Sequence, residues 1–239
     1  MTEADWLTTT DFETHVRFVA DRLSPRRSRL LAAGFCRAAS SLFDLPDLIA
    51  ALAVVEEYAD GLAPVAELDK ARQFCRALAL RANEAYTRHY DGGLSGAEDY
   101  VRRELGWAVS FTAGGLVPVV DVGTRAAHAA VQARTGAGLL QSVADTPATA
   151  EQARVMLGVV WDVVGNPFRP VAFEPTWRTD TVVSLARQVY ESREFGALPI
   201  LADALQDAGC DNSHVLTHCR HESGHVRGCW VLDGVLGKE

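Results

Sequence analysis

Apolar residues recur at steps of three and four along most of the chain. Phe12, Val16, Val19 and Leu23 fall on one helical face, and Leu31, Phe35, Ala38 and Leu42 on another, with Cys36 and Ala39 beside it. Leu48, Leu52, Val55 and Tyr58 keep the spacing until Gly61, and Leu68, Ala71, Phe74, Cys75, Leu78 and Ala85 carry it to Asp91-Gly92-Gly93. Starts are marked by capping chemistry. Thr2-x-x-Asp5 is a capping box with a short carboxylate, and Thr10 or Asp11, Ser24-Pro25, Asp44-Leu45-Pro46, Pro64, Ser95 and Thr146-Pro147 follow. Ala97–Val109, residues 118–133 with an interruption at Gly123, and residues 136–144 continue the series. Val155, Leu157, Val159, Val160 and Val163 make the most apolar helix, closed by Gly165. No period-two alternation accompanies the valine-rich runs, so no strands are expected. The pattern predicts an all-α protein with roughly 60–70% helix, about twice the ordinary third.

Residues 165–178 break the rhythm. Three prolines in Gly-Asn-Pro-Phe-Arg-Pro-Val-Ala-Phe-Glu-Pro-Thr-Trp-Arg forbid a helix, while Phe168, Phe173 and Trp177 are too apolar for a solvated tether. An ordered strap is expected there, with Trp177 buried. Beyond it, Thr179 caps a helix through Val182, Leu185, Val189 and Tyr190, and Pro199 opens a second that ends at Gly209. Asp211 caps a third over 212–220, and Val226–Leu236 forms the last. The organisation is therefore a multi-helix array over 1–164, a strap over 165–178 and a small helical module over 179–239. A module of about sixty residues is marginal alone, so it is expected to pack on the array. No internal repeat is visible.

Composition narrows the function classes. The 239 residues carry a net charge of −8 with no basic run, which argues against nucleic acid as a partner. No apolar run is long enough for a membrane span, and the first residues lack the basic and apolar regions of a signal peptide. Five cysteines make an odd count, so reduced thiols in a cytoplasm are expected rather than a disulfide framework. Only Lys70 and Lys238 among 23 basic residues are lysine. Arginine suits bidentate carboxylate pairing, although a coding bias is the simpler cause.

Chemistry concentrates in residues 210–229, which hold His214, His218, His221 and His225 with Cys210, Cys219 and Cys229. Imidazole and thiolate are the usual zinc donors, and His214 and His218 lie four apart on one helical face. Yet no CxxC knuckle is present. The competing reading has the cysteines filling small buried sites, the histidines on the surface and Trp230 anchoring the last helix against the two before it. His221-Glu222-Ser223-Gly224-His225 satisfies H-E-x-x-H, which in a metalloprotease puts two zinc ligands on adjacent helical turns and uses the glutamate to polarise water. Ser223-Gly224 is a turn pair, however, and little chain remains for a downstream ligand. Phosphate-cradling, dinucleotide-binding and nucleophile-elbow motifs are absent, so no organic cofactor is implied.

Trp177-Arg-Thr-Asp-Thr-Val-Val-Ser-Leu, Leu198-Pro-Ile-Leu-Ala-Asp-Ala-Leu-Gln-Asp-Ala-Gly-Cys-Asp-Asn and His225-Val-Arg-Gly-Cys-Trp-Val-Leu-Asp resemble a family of uncharacterised paralogous proteins of planctomycete bacteria. The opening Met1-Thr-Glu-Ala-Asp-Trp-Leu and the Gly165-Asn-Pro-Phe-Arg-Pro stretch are similar to it too, and the likeness is specific between residues 161 and 238. It implies no activity. It does imply a loop of free composition at 221–224, and it retains Cys210, His218, Cys219, His225 and Cys229 as metal candidates. The expectation is a non-catalytic cytoplasmic helical binding or scaffold protein with another protein as partner. The alternative is a metal-binding protein or a zinc-dependent hydrolase using His221, Glu222 and His225. No residue is assigned a catalytic role outside that alternative, and the oligomeric state is open.

Overall fold

The computed structural model describes the chain except residues 41, 43–44, 89–93, 115–116, 136–146, 222–223 and 239. Twelve α-helices run in order among the described residues: α1 (Glu3–Thr8), α2 (Phe12–Val19), α3 (Pro25–Ser40), α4 (Pro46–Ala59), α5 (Val65–Arg88), α6 (Leu94–Thr112), α7 (Val119–Thr135), α8 (Pro147–Val164), α9 (Asp180–Ser192), α10 (Leu198–Asp207), α11 (Ser213–Arg220) and α12 (Trp230–Leu236). The fold is all-α, 78% helical and without strands among those residues. The expected helix over 136–144 and the caps at Asp44 and Thr146 lie outside the described residues. No described helix is long and apolar enough to cross a membrane.

The chain divides into two compact units, Met1–Val160 and Trp161–Glu239. The division falls inside α8 rather than at Gly165, so the last turn of that helix belongs with the second unit. In the first unit α3 packs on α4, α6 and α7, and α5 lies along α6. Thr2 and Asp5 form the capping box reciprocally, the Thr2 N–H donating to Asp5 Oδ2 at 2.7 Å. The break expected at Gly123 does not occur, α7 running through it, and the helix content of 78% exceeds the expected 60–70%. A Cβ there would lie 3.1 Å from the Phe35 ring and 3.2 Å from that of Phe12, so the glycine lets α7 approach α2 and α3 closely. Leu42 and Phe74, taken as part of helical faces, are 36% and 45% exposed, because α3 stops at Ser40 and α5 buries only a narrow stripe of small residues.

Several buried polar side chains of this unit have defined partners. Arg37 makes a two-pronged ion pair with Glu56, and Glu104 accepts from Arg103 and Arg125. Arg29, buried over the Tyr58 ring, donates to the carbonyls of Thr112 at 3.2 Å and Gly114 at 2.7 Å, where α6 runs out of its own donors.

The second unit gathers the end of α8, residues 165–178 and α9 to α12. Residues 165–178 contain no α-helix, only a 3-10 turn at Pro175–Trp177, and Trp177 is buried. Thr179 caps α9 through the Val182 N–H. Asn212, not Asp211, caps α11, its Oδ1 accepting from the N–H groups of His214 and Val215. The last helix begins at Trp230 rather than Val226, because Gly228 takes a positive φ of 96° inside the expected span. Trp230 is only half-buried. It lies against His218 of α11 and against Phe173 of the non-helical segment, while Val231, Leu232 and Val235 bury α12.

Replacing Arg29 with Met keeps the aliphatic stem but removes both donors, leaving two carbonyls unmatched. We expect a loss of about 2–4 kcal/mol, seen as a lower urea midpoint at unchanged m-value.

Candidate metal centre

One residue of α8 violates its apolar pattern. Asp162 follows Val159 by three positions and so shares the inward face. Its side chain is 4% exposed. A carboxylate near a helix C-terminus also opposes the helix dipole, so both burial and position demand cationic or donor partners.

Those partners come from the segment between α11 and α12. His218 sits in the last turn of α11, where Asn212 has set the helix register. The chain then leaves the helix at His221, in an extended conformation, passes Gly224 at φ +90° and returns with His225. Cys229 precedes α12 as its N-terminal cap residue. Asp162 Oδ1 accepts from His225 Nδ1 at 2.6 Å and lies 3.1 Å from His218 Nε2. The same His218 Nε2 is 3.2 Å from Cys229 Sγ. One donor atom from each of Asp162, His218, His225 and Cys229 thus lies within 4.8 Å of the others.

The geometry separates several chemistries. In a nucleophile–base–acid relay, thiol and carboxylate sit on opposite nitrogens of the imidazole. Here both meet His218 Nε2, and Cys229 is fully buried, so no relay exists. Donor atoms this close together form instead a group that could hold an ion. Neighbouring hydrogen bonds orient two of these donors. His225 Nε2–H donates to the His221 carbonyl at 2.9 Å, which turns Nδ1 toward the centre, and Asp162 Oδ2 accepts the Val226 N–H at 2.8 Å, which leaves Oδ1 facing it. Two imidazoles, one thiolate and one carboxylate are the donor types of a four-coordinate zinc site. Around such an ion the donors would stand about 3.3–3.6 Å apart, so it would replace protons and widen the shortest contact.

Not every residue expected in this cluster belongs to it. His218, His225 and Cys229 come together, whereas Cys210 and Cys219 lie in the apolar core of the second unit. Burial pushes the Cys219 thiol up to about 12, and the Asp162 charge adds to it; burial also raises Cys210. Neither belongs to the group of four donors. The companion idea that the histidines stay on the surface holds for His214 and His221, which are exposed, and fails for His218 and His225, which Asp162 draws inward. His221 contributes its backbone carbonyl, and Glu222 lies outside the described residues. Because α11 ends at Arg220, His221 and His225 do not occupy successive turns of a helix as a zinc-protease motif requires. Asp162 went unnoticed in the sequence, although a lone carboxylate on the buried face of an apolar helix was a visible signal.

Without an ion the centre is closed by protons. Burial pushes the Asp162 carboxyl up, but hydrogen bonds from His218 and His225 outweigh it and hold it below its ordinary value of 3.8. Burial pulls His225 down, and the Asp162 hydrogen bond and charge with the His221 carbonyl outweigh that, leaving it above 6.5. Burial first, then the Asp162 and Cys219 charges, raise the Cys229 thiol well above 9.0, against the N–H groups of Leu232 and Val231.

No protein-family model, curated protein or solved structure matches the chain.

The shifts imply a stability window for metal-free protein. A raised His225 stabilises the fold fully below pH 6.5 and loses that contribution as pH rises through its higher folded value. A lowered Asp162 contributes above pH 3.8 and loses it as pH falls through its lower folded value. Chelated protein should therefore melt highest between these limits, and His225→Gln should flatten the alkaline side; thermal melts across pH check both.

Proposed function

We propose that the chain is a non-catalytic metal-binding protein whose second unit holds one zinc-type ion through Asp162 Oδ1, His218 Nε2, His225 Nδ1 and Cys229 Sγ. The observation that carries this reading is the convergence of four donor atoms of suitable type, two of them already oriented by outer-shell hydrogen bonds. Four protein donors, with the cysteine fully buried, leave no open coordination position, so the ion's role is structural rather than catalytic. The hydrolase alternative lacks this support, since α11 ends before His221 and that residue faces water. The resemblance to the planctomycete family is specific over 161–238, nearly the same stretch as the metal-bearing unit, and we read that unit as the family's shared module. The first unit we read as a helical scaffold for another protein in a reducing cytoplasm, where the Cys229 thiol stays available for an ion.

Protein purified without an affinity tag should contain one zinc per chain. His218→Ala and Cys229→Ala should lower zinc affinity by more than the roughly 10–100-fold that loss of an outer-shell partner costs, while His214→Ala and His221→Ala should retain the ion. Near-zero zinc, with no uptake on titration, would sink the proposal.

A second expectation follows from linkage. Ligands must shed protons to bind, so added zinc should raise the melting temperature more at pH 8 than at pH 6, opposite to the trend of chelated protein. Equal zinc shifts at both values would show that the ion binds elsewhere.

A further inference from the structure

Resting on the reading of this cluster as a metal centre, we infer that metal occupancy controls the docking of residues 165–178, with Trp230 as the coupling side chain. The segment leaves α8 three positions after Asp162, so the residue that would hold the ion also sets where it begins. Gly165, its first residue, has φ +70°, and a Cβ there would lie 3.1 Å from the Trp230 indole. On its other side Trp230 tilts against the His218 ring, with centroids 5.1 Å apart. Phe173 meets the Trp230 ring edge-on at 6.0 Å and the Trp177 ring at 6.2 Å. Gly234 completes the contact, since any Cβ there would overlap the Phe173 ring.

A continuous set of contacts thus runs from the metal donor His218 through Trp230 and Phe173 to Trp177. A second link, through the backbone, runs from the donor Asp162 to Gly165. An ion gripping both donors fixes the end of α8 against α11, and with it the two surfaces between which Trp230 is held. Remove the ion and those surfaces are joined by hydrogen bonds alone. If the ion binds only the docked arrangement, undocking is suppressed by a factor of 1 + [zinc]/Kd, about 100-fold at a free concentration 100 times Kd.

Limited chymotrypsin digestion of the full chain tests this, with zinc present or chelated and protease low enough for opening to equilibrate. Peptide bonds after Phe173 and Trp177 are the reporters, identified by mass spectrometry; Phe168 is partly exposed already and is not used. We expect about 100-fold slower cleavage at these two sites with zinc. Gly234→Ala should displace Phe173 without touching a metal donor: it should bind cobalt with the thiolate absorption of the parent, yet be cut there at rates that zinc changes less than about twofold. Phe173→Leu supplies the same readout should Gly234→Ala not fold. Zinc bound one to one with unchanged cleavage after Phe173 and Trp177 overturns the coupling and leaves the metal centre standing. Chelation that speeds cleavage equally throughout residues 179–239 also overturns it, because the ion then holds the whole unit rather than this segment. Absence of zinc binding removes both readings.

Discussion

A carboxylate withdrawn from water has to find compensating charge or donors, or its helix cannot pack. The effective penalty for burying an ion is several kcal/mol, and Asp162 adds to it by standing at the negative end of α8. Three groups answer it: the imidazoles of His218 and His225 and the Val226 N–H. Meeting that need draws the turn between α11 and α12 inward. It also brings Cys229 beside His218. Much of the second unit's irregular geometry is thus a consequence of one acidic side chain on an apolar face.

The two units treat buried polarity differently. In the first, Arg37 is paired with Glu56, Arg29 with the carbonyls that end α6, and His15 with the carbonyls of Asp11 and Trp6 at 2.9 Å each. Such pairings fix helix positions and leave no atoms directed at a common point. In the second, the contacts among Asp162, His218, His225 and Cys229 share atoms, and the outer hydrogen bonds aim lone pairs inward. A divalent cation at such a group could neutralise carboxylate and thiolate together, which is the basis of the metal proposal.

Much of the helical architecture was legible in the linear pattern because its signals are local. Capping at Thr2, Asp11 and Thr179, proline at the start of α3 and α4, and apolar spacing all act within a few residues. Local signals also misled. At Gly123 the sequence suggests a helix break, but the glycine makes room for the Phe12 and Phe35 rings, which lie far away in the chain. Asp211 and Asn212 are both good caps, and only the path of the turn after Gly209 selects the second.

The sequence by itself determined that the protein is helical and that its metal-type donors crowd into residues 210–229. It also carried Ser223-Gly224, a poor helix-forming pair inside His221-Glu222-x-x-His225. Tertiary structure decided which of those donors meet. His218 and His225 point to one centre, while His214 faces water and Cys210 and Cys219 join the core. The fourth donor, Asp162, lies 56 residues before His218, and no spacing rule links them. Coordination depends on where atoms stand in space, whereas periodicity reports only which face of its own helix a residue occupies.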